Sequence, residues 1–302
     1  MSKFLRSPIF YMGNKLRLLD QLIPLFPAEC TTFVDLFGGG GCISGNYQGE
    51  QLTIYNEINP NIYNLYKMLL DNNPQTIINR IEKNIEVFDL NKEGENVRQN
   101  DATAKPLRDY YSNNYFKFRD FYNKSERDII DLFTLTFYSF SNLIRFNQKS
   151  DFNMPYNNRC FTSEHREIIN NWHEALKDKN IQAYNLDYKK VLDEVELNEN
   201  DFVYNDPPYY SSMAIYNEKQ GTWEIKDDLE LFDRLEKLNA KGVKWGLSNV
   251  FSIKGKTNQH LIDWCEKNKW NVYHLNLKYS ALGKGNSNND EVYICNYHLE
   301  KK

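Results

Sequence analysis

Two kinds of hydrophobic pattern alternate along this chain. Short apolar runs, which predict buried strands, occupy residues 32–37 and 52–57. The second run leads into apolar positions with helical spacing, and Asn59 and Pro60 suit the cap and the first position of that helix. The chain therefore opens with the strand–helix alternation of an α/β protein. The same pattern later predicts strands at 181–187, 201–204, 244–249, 270–275 and 291–297 and helices at 229–238 and 260–267.

The middle of the chain has a different pattern. Between about 75 and 165 no run is typical of a parallel strand. Residues 91–106 are polar and predict a loop, whereas residues 110–143 carry many aromatic side chains at helical spacing. This segment predicts a helical insert in the α/β domain, with most of the aromatic rings in the core of the insert.

Composition and charge narrow the class of protein. The chain has 302 residues and a formal net charge of −4, which excludes a uniformly basic surface for nucleic acid but not a local basic patch. No apolar run approaches the roughly 18 residues of a membrane helix, and the first residues lack the apolar core of a signal peptide, so we expect a cytoplasmic protein. The five cysteines and five histidines lack metal-ligand spacing, so we expect reduced thiols and no metal.

A glycine-rich turn follows the first strand. Gly38 to Gly41 come directly after the apolar run, and Glu57 ends the next one. Glycine allows a close approach of the backbone to a ligand, and a carboxylate at that place accepts hydrogen bonds from ribose. The spacing fails the G-x-G-x-x-G pattern at its third glycine, which favours a cofactor smaller than a dinucleotide. The alternative is a loop that only turns the chain.

The stretch from Asn205 to Tyr209 carries the strongest chemical signal. Pro207 and Pro208 follow a strand and fix the backbone. The carboxylate of Asp206 and the carbonyl of Pro207 then form a rigid pair of acceptors at the edge where open α/β sheets bind ligands, with the Tyr209 ring beside them. This arrangement suits the amino group of a flat base, which must leave the duplex to be modified. The alternative is a Pro-Pro turn with a helix-capping aspartate.

Seven blocks of this chain, in the same order, resemble the DNA adenine-N6 methyltransferases of the Dam type (alpha group). The resemblance covers most of the chain and implies an α/β fold: a Rossmann-like, S-adenosylmethionine-dependent methyltransferase sheet with an inserted, mostly helical DNA-recognition domain. It implies a catalytic domain at 1–75 and 166–302 and a recognition insert at 76–165. The blocks begin at Phe10, Phe33, Asn56, Asn185, Asp206, Gly246 and Asn289.

The resemblance also implies roles for individual residues. Asp206, Pro207, Pro208 and Tyr209 form the catalytic motif. Asp35 meets the amino group of the donor, Glu57 its ribose, and Asp187 the amino group of its adenine. The implied donor-binding residues are Tyr11, Lys15, Asp35, Phe37, Gly38, Gly40, Glu57, Ile58, Asp187 and Tyr188.

A segment of the helical insert resembles the part of the family that reads DNA. The resemblance implies that Arg145 contacts a guanine, which is a chemically sound pairing, and that Phe140 is inserted near the flipped base. Lys278 and Lys284 add positive charge in a stretch without acids, suited to phosphates. The implied DNA-binding residues are Phe140, Leu143, Arg145, Asn147, Asn153 and Pro155.

The expected partners are double-stranded DNA and a cognate restriction endonuclease, without a membrane or a metal. Two departures, Tyr11 in the first block and Ser150 in the reading segment, leave the recognised DNA sequence open. Two other functions also stay open. One is the same chemistry on an RNA adenine or a protein amide, and the other is a catalytically silent DNA-binding regulator on this scaffold.

Overall fold

The computed structural model describes residues 4–95, 104–210, 223–253, 255–276 and 289–299. The chain divides into two compact units, which alternate along the sequence. The helical unit comprises Met1–Gly13 and Asn59–Asp178, and the sheet unit comprises Asn14–Ile58 and Lys179–Lys302. The predicted division into a catalytic domain and a recognition insert concerns function and stays a prediction.

The described residues form eight strands and ten α-helices, with short 3-10 helices at Leu16–Leu18, Ile23–Leu25 and Phe140–Asn142. The strands are β1 (Cys30–Asp35), β2 (Glu50–Asn56), β3 (Ile181–Tyr184), β4 (Phe202–Asn205), β5 (Lys244–Ile253), β6 (Lys256–Thr257), β7 (Asn271–Leu275) and β8 (Asp290–Cys295). The helices are α1 (Leu19–Leu22), α2 (Cys42–Asn46), α3 (Pro60–Asp71), α4 (Pro74–Val87), α5 (Lys105–Lys124), α6 (Ile129–Tyr138), α7 (Ser163–Leu176), α8 (Tyr188–Glu194), α9 (Ile225–Ala240) and α10 (Gln259–Asn268).

All eight strands belong to one sheet of the sheet unit, in the order β3-β2-β1-β4-β5-β8-β7, with β6 paired to β5. The first five strands in this order are parallel, whereas β8 runs antiparallel to β5 and β7. The chain order reverses between β1 and β4. In open α/β sheets such a reversal leaves a crevice at the carboxyl ends of the strands, where ligands bind.

The core of the sheet unit is built from strands that are buried on both faces, as parallel strands usually are. Every residue of β4 is buried. On one face Val34 and Trp245 pack with α9 and α10, and the Trp245 and Trp264 rings stack at 5.7 Å. On the other face Phe33 and Phe202 stack at 5.6 Å. This packing holds the strands rigidly in place, and with them the residues at the strand ends.

The helical unit packs α3 to α7 around an aromatic core. Side chains cap four of these five helices. Among them, Asn59 caps α3 as predicted, and Asp128 caps α6. Phe133, Phe137 and Phe161 pack edge to face in this core. The prediction that most of these rings are core is confirmed. Three rings of the segment 110–143 are exposed: Tyr110 at 48%, Phe121 at 48% and Phe140 at 56%.

The predicted α/β class is confirmed, and the differences are local. The helical pattern predicted over 110–143 is interrupted, because α5 ends at Lys124 and α6 begins at Ile129. The predicted strand 181–187 ends at Tyr184, because Asp187 caps α8. The predicted strand 291–297 ends at Cys295, and α5 begins inside the predicted loop 91–106, of which residues 96–103 lie outside the described residues.

Three expectations concern absences. All five cysteines are free and buried. Within the described ranges, no helix combines the length and the apolar character needed to cross a bilayer. In that same part of the chain, no group of three histidine, cysteine or acidic side chains is arranged to hold a metal ion.

Candidate active site

Four carboxylates lie at one edge of the sheet, each at or just after the carboxyl end of a different parallel strand. Asp35 ends β1, Glu57 follows β2, Asp187 follows β3 and Asp206 follows β4. Because these strands are neighbours in the sheet, their carboxyl ends meet at the same edge. The order reversal lies between the strands that carry Asp35 and Asp206.

The glycine turn after β1 is held tightly against the end of β2. The Gly39 N–H donates to Glu57 Oε2 at 3.0 Å, and the Gly38 N–H donates to the Asn56 carbonyl at 2.7 Å. A Cβ on Gly38 would lie 2.3 Å from the ring of Tyr55, so no other residue fits there without displacing that ring. Gly39 has a φ of +51°, which disfavours other residues. The turn is thus a fixed backbone cradle.

Asp35 is a buried carboxylate inside this cradle. It is 1% exposed, and its Oδ2 accepts the backbone N–H of Ser44, in α2, at 3.1 Å. Burial raises the pKa of Asp35 to about 7, although the hydrogen bond from Ser44 opposes the rise. A carboxyl group poised at this value binds a cationic amine strongly only once it is ionised.

The ends of β2 and β3 are tied together next to this turn. The Asn185 side-chain amide donates to the carbonyl oxygens of Glu57, at 2.7 Å, and Ile58, at 3.0 Å. Ile58 is 48% exposed, so an apolar surface faces outward at the edge. Asp187 caps α8 through Oδ1, which accepts the Lys189 N–H at 2.9 Å.

Phe37 and Tyr188 form an aromatic pair at this edge. Their ring centroids lie 5.2 Å apart. Gly40 lies within the turn that follows Phe37. The predicted donor-binding residues of the sheet unit are therefore grouped around the ends of β1, β2 and β3, with the exception of Lys15.

The Asp206 carboxylate is held by two side chains. Lys15 Nζ lies 2.5 Å from Oδ2, and the Tyr209 hydroxyl donates to Oδ1 at 3.2 Å. Lys15 Nζ also lies 5.2 Å from the centroid of the Tyr209 ring, within the range of a cation–π interaction. The resemblance implies a donor-binding role for Lys15 and a place in the catalytic motif for Tyr209. The hydrogen bonds of both to Asp206 are structural findings that the sequence did not suggest.

Burial and the charge of the partner shift the pKa values of Lys15 and Asp206 in opposite directions. Burial lowers the pKa of Lys15, but the Asp206 carboxylate outweighs it, so the net shift is upward and Lys15 is a cation. Burial raises the pKa of Asp206, and Lys15 opposes that rise. Burial also raises the pKa of Glu291, with Lys15 opposing and Asp206 adding to the shift. Glu291 therefore shares the electrostatic field of the cluster.

The backbone around Asp206 is fixed by its neighbours. Asn205 is fully buried, and its side-chain amide donates to the carbonyl oxygen of Gly246, in β5, at 2.9 Å. Pro207 is buried and Pro208 is exposed. The motif therefore leaves the sheet along a rigid path.

In the helical unit, the predicted reading segment forms a hairpin-like excursion between α6 and α7. Isolated bridges join Ser139 to Tyr156 and Phe146 to Phe152. Phe140 and Pro155 lie on the two arms, where the Phe140 N–H donates to the Pro155 carbonyl at 2.9 Å, and both are exposed.

Arg145 lies on this hairpin and is oriented by Asn153 on the opposite arm. Arg145 Nε donates to Asn153 Oδ1 at 2.9 Å, and the Asn153 N–H donates to the Arg145 carbonyl at 3.1 Å. Asn147 shapes the tip, because its Oδ1 accepts the N–H groups of Lys149 and Asp151. Leu143 is partly buried on the first arm.

Side-chain hydrogen bonds anchor the hairpin to the junction between α5 and α6. The Asn123 side chain makes two bonds to the backbone of Phe152, accepting its N–H at 2.8 Å and donating to its carbonyl at 3.0 Å. Arg127, which has a φ of +59°, donates to the Ser150 carbonyl at 2.5 Å and to Asp151 Oδ1 at 3.1 Å. Neither Asn123 nor Arg127 stands out in the sequence, because their partners are 23 to 29 positions away.

Some predicted residues lie elsewhere. Tyr11 belongs to the helical unit and is 36% exposed. Lys278 and Lys284 lie outside the described residues, as does the segment 211–222 that follows the predicted catalytic motif.

Comparison with known proteins decides the family. Residues 11–280 match the sequence profile of the D12 class N6 adenine-specific DNA methyltransferases. The chain belongs to this family. The Dam-type subgroup within it stays a prediction.

Three relatives illustrate the match. The Type II methyltransferase M.FokI of Planomicrobium okeanokoites is 32% identical over 98% of this chain, and the modification methylase StsI of Streptococcus sanguinis is 31% identical over 99%. The modification methylase LlaI of Lactococcus lactis subsp. lactis is 29% identical over 97%. The alignments span 43%, 44% and 44% of these relatives, so the chain spans less than half of their length.

Proposed function

We propose that this chain transfers a methyl group from S-adenosylmethionine to N6 of an adenine in double-stranded DNA, after the adenine has rotated out of the helix. Membership of the D12 family supports the reaction class. The observation that carries the proposal is the Asp206 carboxylate, held by Lys15 and Tyr209 at the end of β4, beside the strand that leads into the glycine turn.

The residues at this edge of the sheet fit S-adenosylmethionine, the methyl donor. Asp35 suits the ammonium of its methionine part, and Glu57 suits ribose hydroxyls. Phe37, Tyr188 and the exposed Ile58 suit a purine ring, with Asp187 for its amino group. Gly38 and Gly40 suit a close backbone approach. When bound, S-adenosylmethionine supplies a sulfonium methyl group, which is an electrophile.

The residues of the catalytic motif act on the target amino group. Its lone pair is delocalised into the purine ring, which makes it a poor nucleophile. Hydrogen bonds from the amino group to Asp206 and to the Pro207 carbonyl favour a tetrahedral nitrogen with its lone pair directed outward. Because Lys15 holds Asp206 as an ion pair, Asp206 serves as an acceptor rather than as a base, and the proton leaves for solvent. The Tyr209 ring offers a stacking surface for the extruded base.

We also propose that the hairpin of the helical unit reads the DNA sequence. Arg145 presents donors suited to the edge of a guanine, and Asn153 restricts how the guanidinium can point. Phe140, Leu143, Asn147 and Pro155 contribute nearby contacts. The names of two relatives, modification methylases, support a cognate restriction endonuclease as a functional partner. Methylated DNA should resist that endonuclease.

The test is a transfer assay with labelled S-adenosylmethionine, offering duplex DNA, RNA and protein in parallel. We expect label only in duplex DNA, at adenine N6, and sequencing of the methylated DNA then gives the recognised site. Label in RNA or in protein amides would favour the alternative substrates. No transfer to any of the three would favour a silent DNA-binding regulator.

A variant separates catalysis from donor binding. Asp206→Ala should lower methyl transfer by about a hundredfold or more, the scale seen when a transition-state hydrogen bond is lost, with little change in donor affinity. The control is Asp233→Ala, since Asp233 is an exposed acid on α9. An equal loss of donor affinity in Asp206→Ala would assign this residue to the donor pocket instead.

A further inference from the structure

A third aromatic ring adjoins the Phe37–Tyr188 pair. Trp223 lies just before α9, and its ring centroid is 5.8 Å from Phe37, edge to face, and 6.0 Å from Tyr188. Phe37 and Trp223 are both partly exposed, whereas Tyr188 is 7% exposed. The three rings form one apolar corner in which two rings keep some accessible surface.

The indole of Trp223 is fixed by a buried carboxylate. Its Nε1 donates to Asp228 Oδ1 at 2.7 Å, and Asp228 is 0% exposed. The other carboxylate oxygen, Oδ2, lies 2.7 Å from Nε2 of His260. A carboxylate out of water is costly unless both oxygens are bonded, and here both are. The orientation of the indole therefore depends on a polar network and not on packing alone.

The residue directly after the catalytic motif touches the same network. The ring of Tyr210, which follows the catalytic motif, lies 5.4 Å from the ring of His260, edge to face. Asp228 thus connects, directly or through His260, the residue after the motif and the aromatic corner beside the glycine turn.

We infer that Trp223 is a donor-binding residue, a third aromatic wall for the adenine ring of S-adenosylmethionine, and that Asp228 is its positioning residue. This inference rests on the proposed function. Sequence motifs do not single out Trp223, because it stands alone in a polar stretch. A rigid, partly exposed indole next to two further rings presents the kind of surface on which a purine stacks.

The test is tryptophan fluorescence of the full chain, with S-adenosylhomocysteine, adenosine and methionine as probes. S-adenosylhomocysteine and adenosine should quench the emission, because both carry adenine, and methionine should not. Trp223→Phe should lose most of this quench. The control is Trp270→Phe, which removes one of the chain's five tryptophans, packed against Trp245 and Trp264. It should keep the quench.

Binding measured by calorimetry gives a second readout. Trp223→Ala should weaken S-adenosylhomocysteine binding about tenfold, the scale of one lost stacking contact, and Trp223→Phe only about threefold or less. Asp228→Ala should weaken binding similarly, and Asp228→Asn, which keeps an oxygen for the indole N–H, should restore most of it. Melting curves identify any variant that does not fold.

A full quench in Trp223→Phe, or unchanged affinity in Trp223→Ala, overturns the inference. Unchanged affinity in Asp228→Ala overturns the positioning role. If the wild type methylates adenine in DNA while Trp223→Phe still shows the quench, only this inference falls. If Trp223 reports S-adenosylhomocysteine binding but no label reaches DNA adenine, the proposed substrate falls and this inference stands.

Discussion

The ion pair between Lys15 and Asp206 is the most sharply testable feature of the site. The two side chains are only 8% and 18% exposed, and their charged atoms lie 2.5 Å apart. Lys15→Met removes the cation and keeps an apolar chain of similar length. It leaves the Asp206 carboxylate in a buried place where its pKa is already raised by burial.

Loss of one member of a buried pair costs about 3–5 kcal/mol of unfolding free energy, because the remaining charge stays out of water. The residual access of Asp206 to solvent places the expected value near the lower end, about 3 kcal/mol. Lys237→Met is the matched control. Its partner Asp233 lies 2.6 Å away, but the side chains are 65% and 58% exposed, so the cost should stay below about 0.5 kcal/mol.

The cost of Lys15→Met should depend on pH with a definite sign. Without Lys15, the pKa of Asp206 in the folded state rises further above its unfolded value. The folded state then binds the proton more tightly, so the loss of stability is full at high pH and shrinks as Asp206 becomes protonated. Urea unfolding at about pH 8 and about pH 5 measures both values. The double variant Lys15→Met/Asp206→Asn should recover most of the stability at the higher pH.

Two results would refute this reasoning. One is a loss below about 1 kcal/mol at the higher pH, since that is the range of a solvent-exposed pair. The other is a double variant no more stable than Lys15→Met, because the cost would then come from lost packing of the lysine chain rather than from an unpaired charge.

Three further predictions follow from other parts of the molecule. Burial raises the pKa of Asp35 to about 7, so S-adenosylhomocysteine binding should weaken as the pH falls below that value; Asp35→Asn should bind weakly with a flat profile in calorimetry, and a pH-dependent Asp35→Asn would contradict the assignment. Gly38→Ala forces a Cβ to within 2.3 Å of the Tyr55 ring, so urea unfolding should show a loss of about 1–3 kcal/mol in the free energy of unfolding. An unchanged stability would mean that the turn or the Tyr55 ring moves at little cost. Arg145→Ala should relax the preference at one base pair, with about 1–3 kcal/mol less discrimination in methylation of single-base site variants; Lys149→Ala is the control, and a uniform loss on all sequences would make Arg145 a phosphate contact.

The sequence predicts most of the strands because each is a short apolar run bounded by glycine, proline or an acid. It also predicts that Asp206 lies at the ligand-binding edge of the sheet, since the residue directly follows a strand. It does not predict the break between α5 and α6. The residue at that break, Arg127, adopts a positive φ that its type does not favour, and its bonds to Ser150 and Asp151 lie far along the chain. Long-range partners leave no local pattern.

The same limit explains what the sequence missed in the site. The motif around Asp206 is visible as five consecutive residues, but the bond from Lys15 joins positions 191 residues apart. Asp228 and His260 are likewise 32 residues apart, and neither belongs to a recognisable motif. Spacing rules identify groups that act within one turn or one strand end, whereas these networks depend on the packing of the sheet.

The separation of Lys15 from Asp206 has a practical consequence. Two fragments made by dividing the chain at any point between them would each carry one half of the salt link, and neither would have the complete charge arrangement. The charge cluster at the end of β4 would then form again only where the two fragments reassociate.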